Sequence, residues 1–123
     1  MSGNSIFLDT NTVLYFLSGD ETLSDFINDK MLYISVITEM ELLSYDRIGA
    51  KEMKVLAGFI REIQVVNINQ EIKDTTIKIR KASKLKLPDC IIAASSIALK
   101  IPLITADKGI KNIEGLDIIY YEK

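Results

Sequence analysis

The sequence predicts an α/β domain whose parallel sheet is covered on both faces by helices, and three observations carry that expectation. Short β-branched or aromatic runs alternate with longer stretches of helical period. At 123 residues and 48% hydrophobic, the chain has the size and composition of one domain with a real core, so a single domain over residues 1–123 is expected. No linker, internal repeat or low-complexity segment interrupts the alternation. Strands that alternate with helices pair in parallel, because each helix supplies the crossover that parallel pairing requires.

Taken in order, residues 5–8 (SIFL) read as a strand, and Thr10 or Asn11 can cap a helix carrying Val13, Leu14, Phe16 and Leu17. Residues 20–29 form an acidic helix, 31–36 a strand, 38–47 a helix and 50–60 another helix. Residues 63–68 are β-branched enough for a strand, and 70–84 are amphipathic. Pro88 suits the first turn of a helix that runs to Leu99. Residues 102–105 return to strand, a short helix or turn follows Asp107, and 116–121 make the last strand.

Composition narrows the chemistry. The lone Cys90 permits no internal disulfide, and the N-terminus lacks the layout of a signal peptide. The apolar run 91–104 is broken by Ser95, Ser96, Lys100 and Pro102, so it is too short and too polar to span a bilayer. A cytoplasmic protein is expected. With no His, imidazole-based zinc sites and Ser-His-Asp triads are excluded. Cys90, without a base partner, reads as core packing.

In a parallel sheet the strands that feed crossover helices end along one edge, where ligands bind. Asp9 lies there, directly after SIFL, and so does Asp107, after IPLIT. Glu41 falls about one turn into the helix that follows MLYISV. Asp89 opens the helix CIIAASSIAL, whose far end feeds IPLIT. Each Asp can also be a plain helix cap, worth about 0.5–2 kcal/mol. Glu41 resists that reading, because on a helical wheel it falls near Ile37, Tyr45 and Ile48, with Glu39 on the other side. Asp89 resists it too, since its helix is apolar almost all round and an unpaired carboxylate there would be expensive.

Four carboxylates gathered without cations would repel or protonate. Hard oxygen donors without His or Cys select Mg²⁺ or Mn²⁺, and such sites hydrolyse phosphodiesters. With the four neutralised, the net charge moves from −2 to +2. Lys81, Lys84, Lys86, Lys108 and Lys111 then flank a phosphate track, unless the first three are a solvated helix end.

The set FLDTNTVLYFL, ISVITEMELL, KLPDCIIAAS and LITADKGI, in this order over nearly the whole chain, resembles a PIN domain of the VapC type. Those proteins are the toxin ribonucleases of bacterial and archaeal toxin–antitoxin pairs. The resemblance implies a three-layer α/β/α sandwich with a central parallel sheet. It also implies an acidic quartet at Asp9, Glu41, Asp89 and Asp107. In that quartet Asp9 is the central ligand, Glu41 and Asp89 complete the first metal site, and Asp107 supports a second metal or orients water. Asn11 and Thr105 match small polar positions behind the quartet. It implies further an RNA substrate, Mg²⁺ or Mn²⁺, a homodimer, and an antitoxin held in a groove near residues 13–17, where five consecutive apolar or aromatic residues exceed what one buried helix face can cover. Residues 108–110 read KGI where many relatives carry an acidic residue and an aromatic, and Asp117 reads as a turn residue. Three alternatives compete with a toxin ribonuclease. One is a catalytically weak PIN-like module that binds RNA or protein. Another is a haloacid dehalogenase-like phosphatase, whose DxDx[TV] motif DTNTV matches except for Asn11. The last is a receiver-like module, against which IQVVNINQ offers no strand-ending Asp.

Overall fold

The computed structural model describes residues 4–110 and 112–122. Strand β1 (Ser5–Leu8) is buried at all four positions, as a central strand between two helical layers must be. Its side chains alternate: Ile6 and Leu8 enter one core, Phe7 the other. β1 pairs with β2 (Met31–Ser35) and with β4 (Leu103–Thr105). Outside them lie β3 (Gln64–Val66) and β5 (Ile118–Tyr120), and every pairing is parallel. The resulting order, β3-β2-β1-β4-β5, changes direction between β1 and β4. That switch point opens a crevice at the carboxyl ends of the strands.

Among the described residues six α-helices complete the sandwich: α1 (Thr10–Leu17), α2 (Glu21–Ile27), α3 (Val36–Leu43), α4 (Ala50–Arg61), α5 (Gln70–Ala82) and α6 (Leu87–Leu99). Val13, Leu23, Ile27, Leu56 and Ile60, from α1, α2 and α4, cover one face of the sheet with Leu42 of α3. Ile72 and Ile79 of α5 and Cys90, Ile92, Ala93 and Ala94 of α6 cover the other. Seven successive residues of α6, Cys90 to Ser96, are buried, which bears out the reading of this helix as central and of Cys90 as core. The last strand is tied back by Tyr121, whose hydroxyl donates to the Asp20 carboxylate at the start of α2.

Local hydrogen bonds moved several element ends. Asp9, rather than Thr10 or Asn11, caps α1, its Oδ1 accepting the Thr12 N–H at 2.8 Å. Ser35 ends β2 and caps α3 through Ile37 N–H at 3.1 Å, so α3 begins two residues before the expected Thr38. It also stops at Leu43 instead of Arg47: Ser44 is the C-cap, its backbone N–H turning to the Glu41 carbonyl at 3.3 Å, and the chain leaves the helix at Tyr45. Tyr45 and Ile48 therefore lie in a loop and not on the Glu41 face of a helix. In the acidic helix, Asp20 is the cap, and the end falls at Ile27 ahead of Asp29, which has φ 66°.

Candidate functional site

Asp9 is both the end of β1 and the cap of α1, and it is 9% exposed. Beyond its bond to Thr12 N–H, its Oδ2 accepts the Thr105 hydroxyl at 2.5 Å across the β1/β4 switch point. Both partners are rigid: Thr105 is wholly buried, and so is Thr12, whose own hydroxyl donates to the Ile104 carbonyl at 3.3 Å. The Thr105 hydroxyl in turn accepts the Asp107 N–H at 3.0 Å, so one residue of β4 orients two acids. Asp107 is exposed, and its Oδ1 accepts Gly109 N–H at 2.8 Å. Position 109 suits glycine, since a Cβ there would meet that oxygen at 3.2 Å.

Glu41 reaches the crevice from α3. Its Oε1 accepts the Thr10 hydroxyl at 2.7 Å, and Thr10 lies 3.1 Å from the hydroxyl of buried Thr38. Asp89, in the first turn of α6, makes no hydrogen bond among the described residues. Burial pushes its carboxyl above the ordinary value, and the negative charges of Asp107, Asp9 and Glu41 push it further, with Lys86 opposing them. Asp89 thus feels the other three acids across one space, a polar cleft of about 190 Å³ lined by Asp9, Thr10, Asn11, Glu41, Tyr45, Asp89 and Asp107.

The chain brings together all four expected carboxylates. Thr105 stands behind Asp9 and Asp107, whereas Asn11 is exposed at the cleft wall and bonds none of the acids among the described residues. Thr10, Thr38 and Tyr45 are the cleft-shaping residues that sequence reasoning missed. Thr10 was visible only as a hydroxyl beside Asp9, and its line to Glu41 crosses 31 residues of chain. Of the expected cations, Lys86 acts on Asp89, Lys81, Lys84 and Lys108 are exposed, and Lys111 lies outside the described residues.

The donor set suits a hard divalent cation, being all oxygen, with Cys90 buried away in the core. Among the described residues no three acidic side chains are gathered closely enough to hold an ion directly between them. Mg²⁺ tolerates such spacing, because it keeps several waters and takes only one or two carboxylates directly.

Fold and cleft together define an α/β domain with an acidic crevice at the topological switch point. The family model of the PIN domain matches residues 6–116, and the chain belongs to the PIN domain family. That membership replaces the dehalogenase-like reading of DTNTV. A toxin–antitoxin complex from Klebsiella pneumoniae is similar at 29% identity and TM-score 0.80, over 96% of this chain and 99% of that one. VapBC2 from Rickettsia felis, bound to a DNA fragment from its promoter, matches at 18% identity and TM-score 0.84 over 96% and 99% of the two chains. DNA-bound VapBC from Salmonella typhimurium matches at 22% identity and TM-score 0.78 over 94% and 97%. No curated protein sequence matches the chain. Among the described residues no helix is long and apolar enough to cross a membrane.

Proposed function

We propose that this chain is a Mg²⁺- or Mn²⁺-dependent endoribonuclease and the toxin of a type II toxin–antitoxin pair acting in the cytoplasm. The observation that carries the reading is the meeting of Asp9, Glu41, Asp89 and Asp107 in one cleft at the β1/β4 switch point. Asp9, Glu41 and Asp89 would hold a first divalent ion, at least one of them through a bound water, and Asp107 a second ion or a water. A bound ion supplies a more acidic attacking water and stabilisation of the leaving oxygen. The chain's own share is placement: Thr105 and Thr12 hold Asp9 still, Thr10 holds Glu41, and the half-buried cleft strengthens every charge inside it.

Similarity to proteins solved as toxin–antitoxin complexes supports an antitoxin partner. A groove of about 410 Å³ between α1 and α4, with Leu14, Leu17, Ile48, Val55 and Leu56 in its wall and Lys51 and Glu52 at its rim, suits an apolar antitoxin segment. Thr10 of α1 borders the cleft one turn before Leu14 borders the groove, so a segment leaving the groove emerges beside the acids. Exposed Met40 and Leu43 share a face of α3 and suit the expected homodimer contact.

Cleavage of total RNA by the purified protein with Mg²⁺ or Mn²⁺, compared with EDTA and with Asp9→Asn, tests the reading. Metal-dependent cleavage lost in Asp9→Asn supports it. RNA binding without cleavage would make the chain the binding-only PIN relative instead.

A further inference from the structure

The cleft contains an aromatic group that metal-assisted hydrolysis does not use. Tyr45 is the only aromatic residue in its wall, it is 40% exposed, and its hydroxyl makes no hydrogen bond among the described residues. A tyrosine serving the core packs on other residues, as half-buried Tyr15 does on buried Tyr121 with ring centroids 6.2 Å apart. Tyr45 has no such ring partner among the described residues. The early end of α3 puts it here. Ser44 caps the helix with its backbone N–H on the Glu41 carbonyl, so the next residue leaves the helical path and lines the cleft beside the acids and not the core.

The rest of the wall is short and polar: Thr10, Asn11 and the four carboxylates. A phosphodiester brought to those carboxylates carries a base on either side, and an unpaired base needs a flat apolar surface to replace the stacking it has lost. Carboxylates and threonines offer none. The geometry points to Tyr45 as the stacking platform for an unpaired nucleotide adjacent to the scissile phosphate. This inference rests on the ribonuclease reading and adds to it a preference, set by Tyr45, for a purine with its larger π-face at the stacked position.

Two measurements test it. In steady-state cleavage with Mn²⁺, Tyr45→Phe keeps KM within about twofold of wild type, because the ring face remains. Tyr45→Leu, apolar but not aromatic, raises KM about tenfold, the size of one lost base–aromatic stack, with kcat much less affected. In the second measurement the Asp9→Asn protein binds a short oligoadenylate carrying one 2-aminopurine, whose fluorescence is quenched on stacking. Quenching is expected with Tyr45 or Phe at this position and is lost with Leu. The two failures are distinguishable: a wild type that cuts no RNA overturns the ribonuclease reading, and a Tyr45→Leu protein with wild-type KM or quenching overturns this one. A drop in kcat for Tyr45→Leu at unchanged KM would also overturn it, by making the ring a support for the acids.

Discussion

Asp9 does three things at once: it ends a strand, caps a helix and faces three other acids. Asparagine preserves the cap, since Asn and Asp are equivalent there, while removing the charge. Asp9→Asn, Glu41→Gln and Asp89→Asn should therefore each keep the fold and lose metal-dependent RNase activity to below detection. Asp107→Asn should lose less, and near-wild-type cleavage by any of the first three would remove that residue from the site. Thr10 contacts Glu41 without belonging to the quartet, and outer hydrogen bonds of this kind typically govern affinity for the ion. Thr10→Val is expected to weaken Mn²⁺ binding about tenfold, as measured by titration calorimetry, with Thr10→Ser restoring it. Weakening by serine with valine left at wild-type affinity would mean that the methyl group, and not the hydroxyl, matters.

At the scale of elements, α1 shows how a helix divides its labour. Its five apolar residues after Thr12 point several ways, as the sequence required. Val13 is buried in the core, Tyr15 packs on Tyr121, Phe16 packs on Phe59 with ring centroids 5.5 Å apart, and Leu14 and Leu17 line the groove against α4. Tyr15 and Phe16 are therefore occupied within the chain, and the groove leucines are the better probes of antitoxin binding. Leu14→Glu should weaken binding of the protein from the adjacent reading frame by about 2 kcal/mol, roughly thirtyfold in Kd, while RNA cleavage changes little. Titration of the mutant measures this, and unchanged affinity would place the antitoxin elsewhere.

For the molecule as a whole, the acidic cleft should cost stability that a bound cation would restore. Asp89 has a raised carboxyl in the folded state, so the folded protein holds its proton to higher pH than the unfolded chain does. Stability is accordingly lost as pH rises from the ordinary aspartate value through the raised one, the reverse of a salt-bridged carboxylate. In EDTA, Asp89→Asn should melt at a higher temperature than wild type near neutral pH, and the difference should shrink as the pH falls toward the ordinary aspartate range. Because Asp89 makes no hydrogen bond among the described residues, this substitution isolates charge more cleanly than Asp9→Asn, which also alters the bond to Thr105. Mg²⁺ or Mn²⁺ should raise the melting temperature of wild type more than that of the mutant. Thermal scans at several pH values check both, and a mutant less stable than wild type in EDTA would mean that Asp89 is held by favourable contacts.

The sequence by itself determined the alternation of strand and helix, the burial of β1 and α6, and the identity of the four acids. These follow from short-range period and from which residue types end an apolar run, and both are written locally. Glu41 was picked out by a helical wheel that grouped it with Ile37, Tyr45 and Ile48, of which only Ile37 belongs to the helix, and Asp89 because its helix is apolar almost all round. What only the tertiary structure decided is where hydroxyls point and where helices stop. α3 ends at a Ser44 cap that apolar period does not encode, and this moves Tyr45 and Ile48 off the Glu41 face, one to the cleft and the other to the groove. Thr105 and Asp9 lie 96 residues apart, and Thr10 and Glu41 lie 31 apart. A threonine reads the same in sequence whether its hydroxyl meets solvent, its own helix or a distant carboxylate, and only the packing of β4 beside β1 and of α3 beside α1 selects the partner.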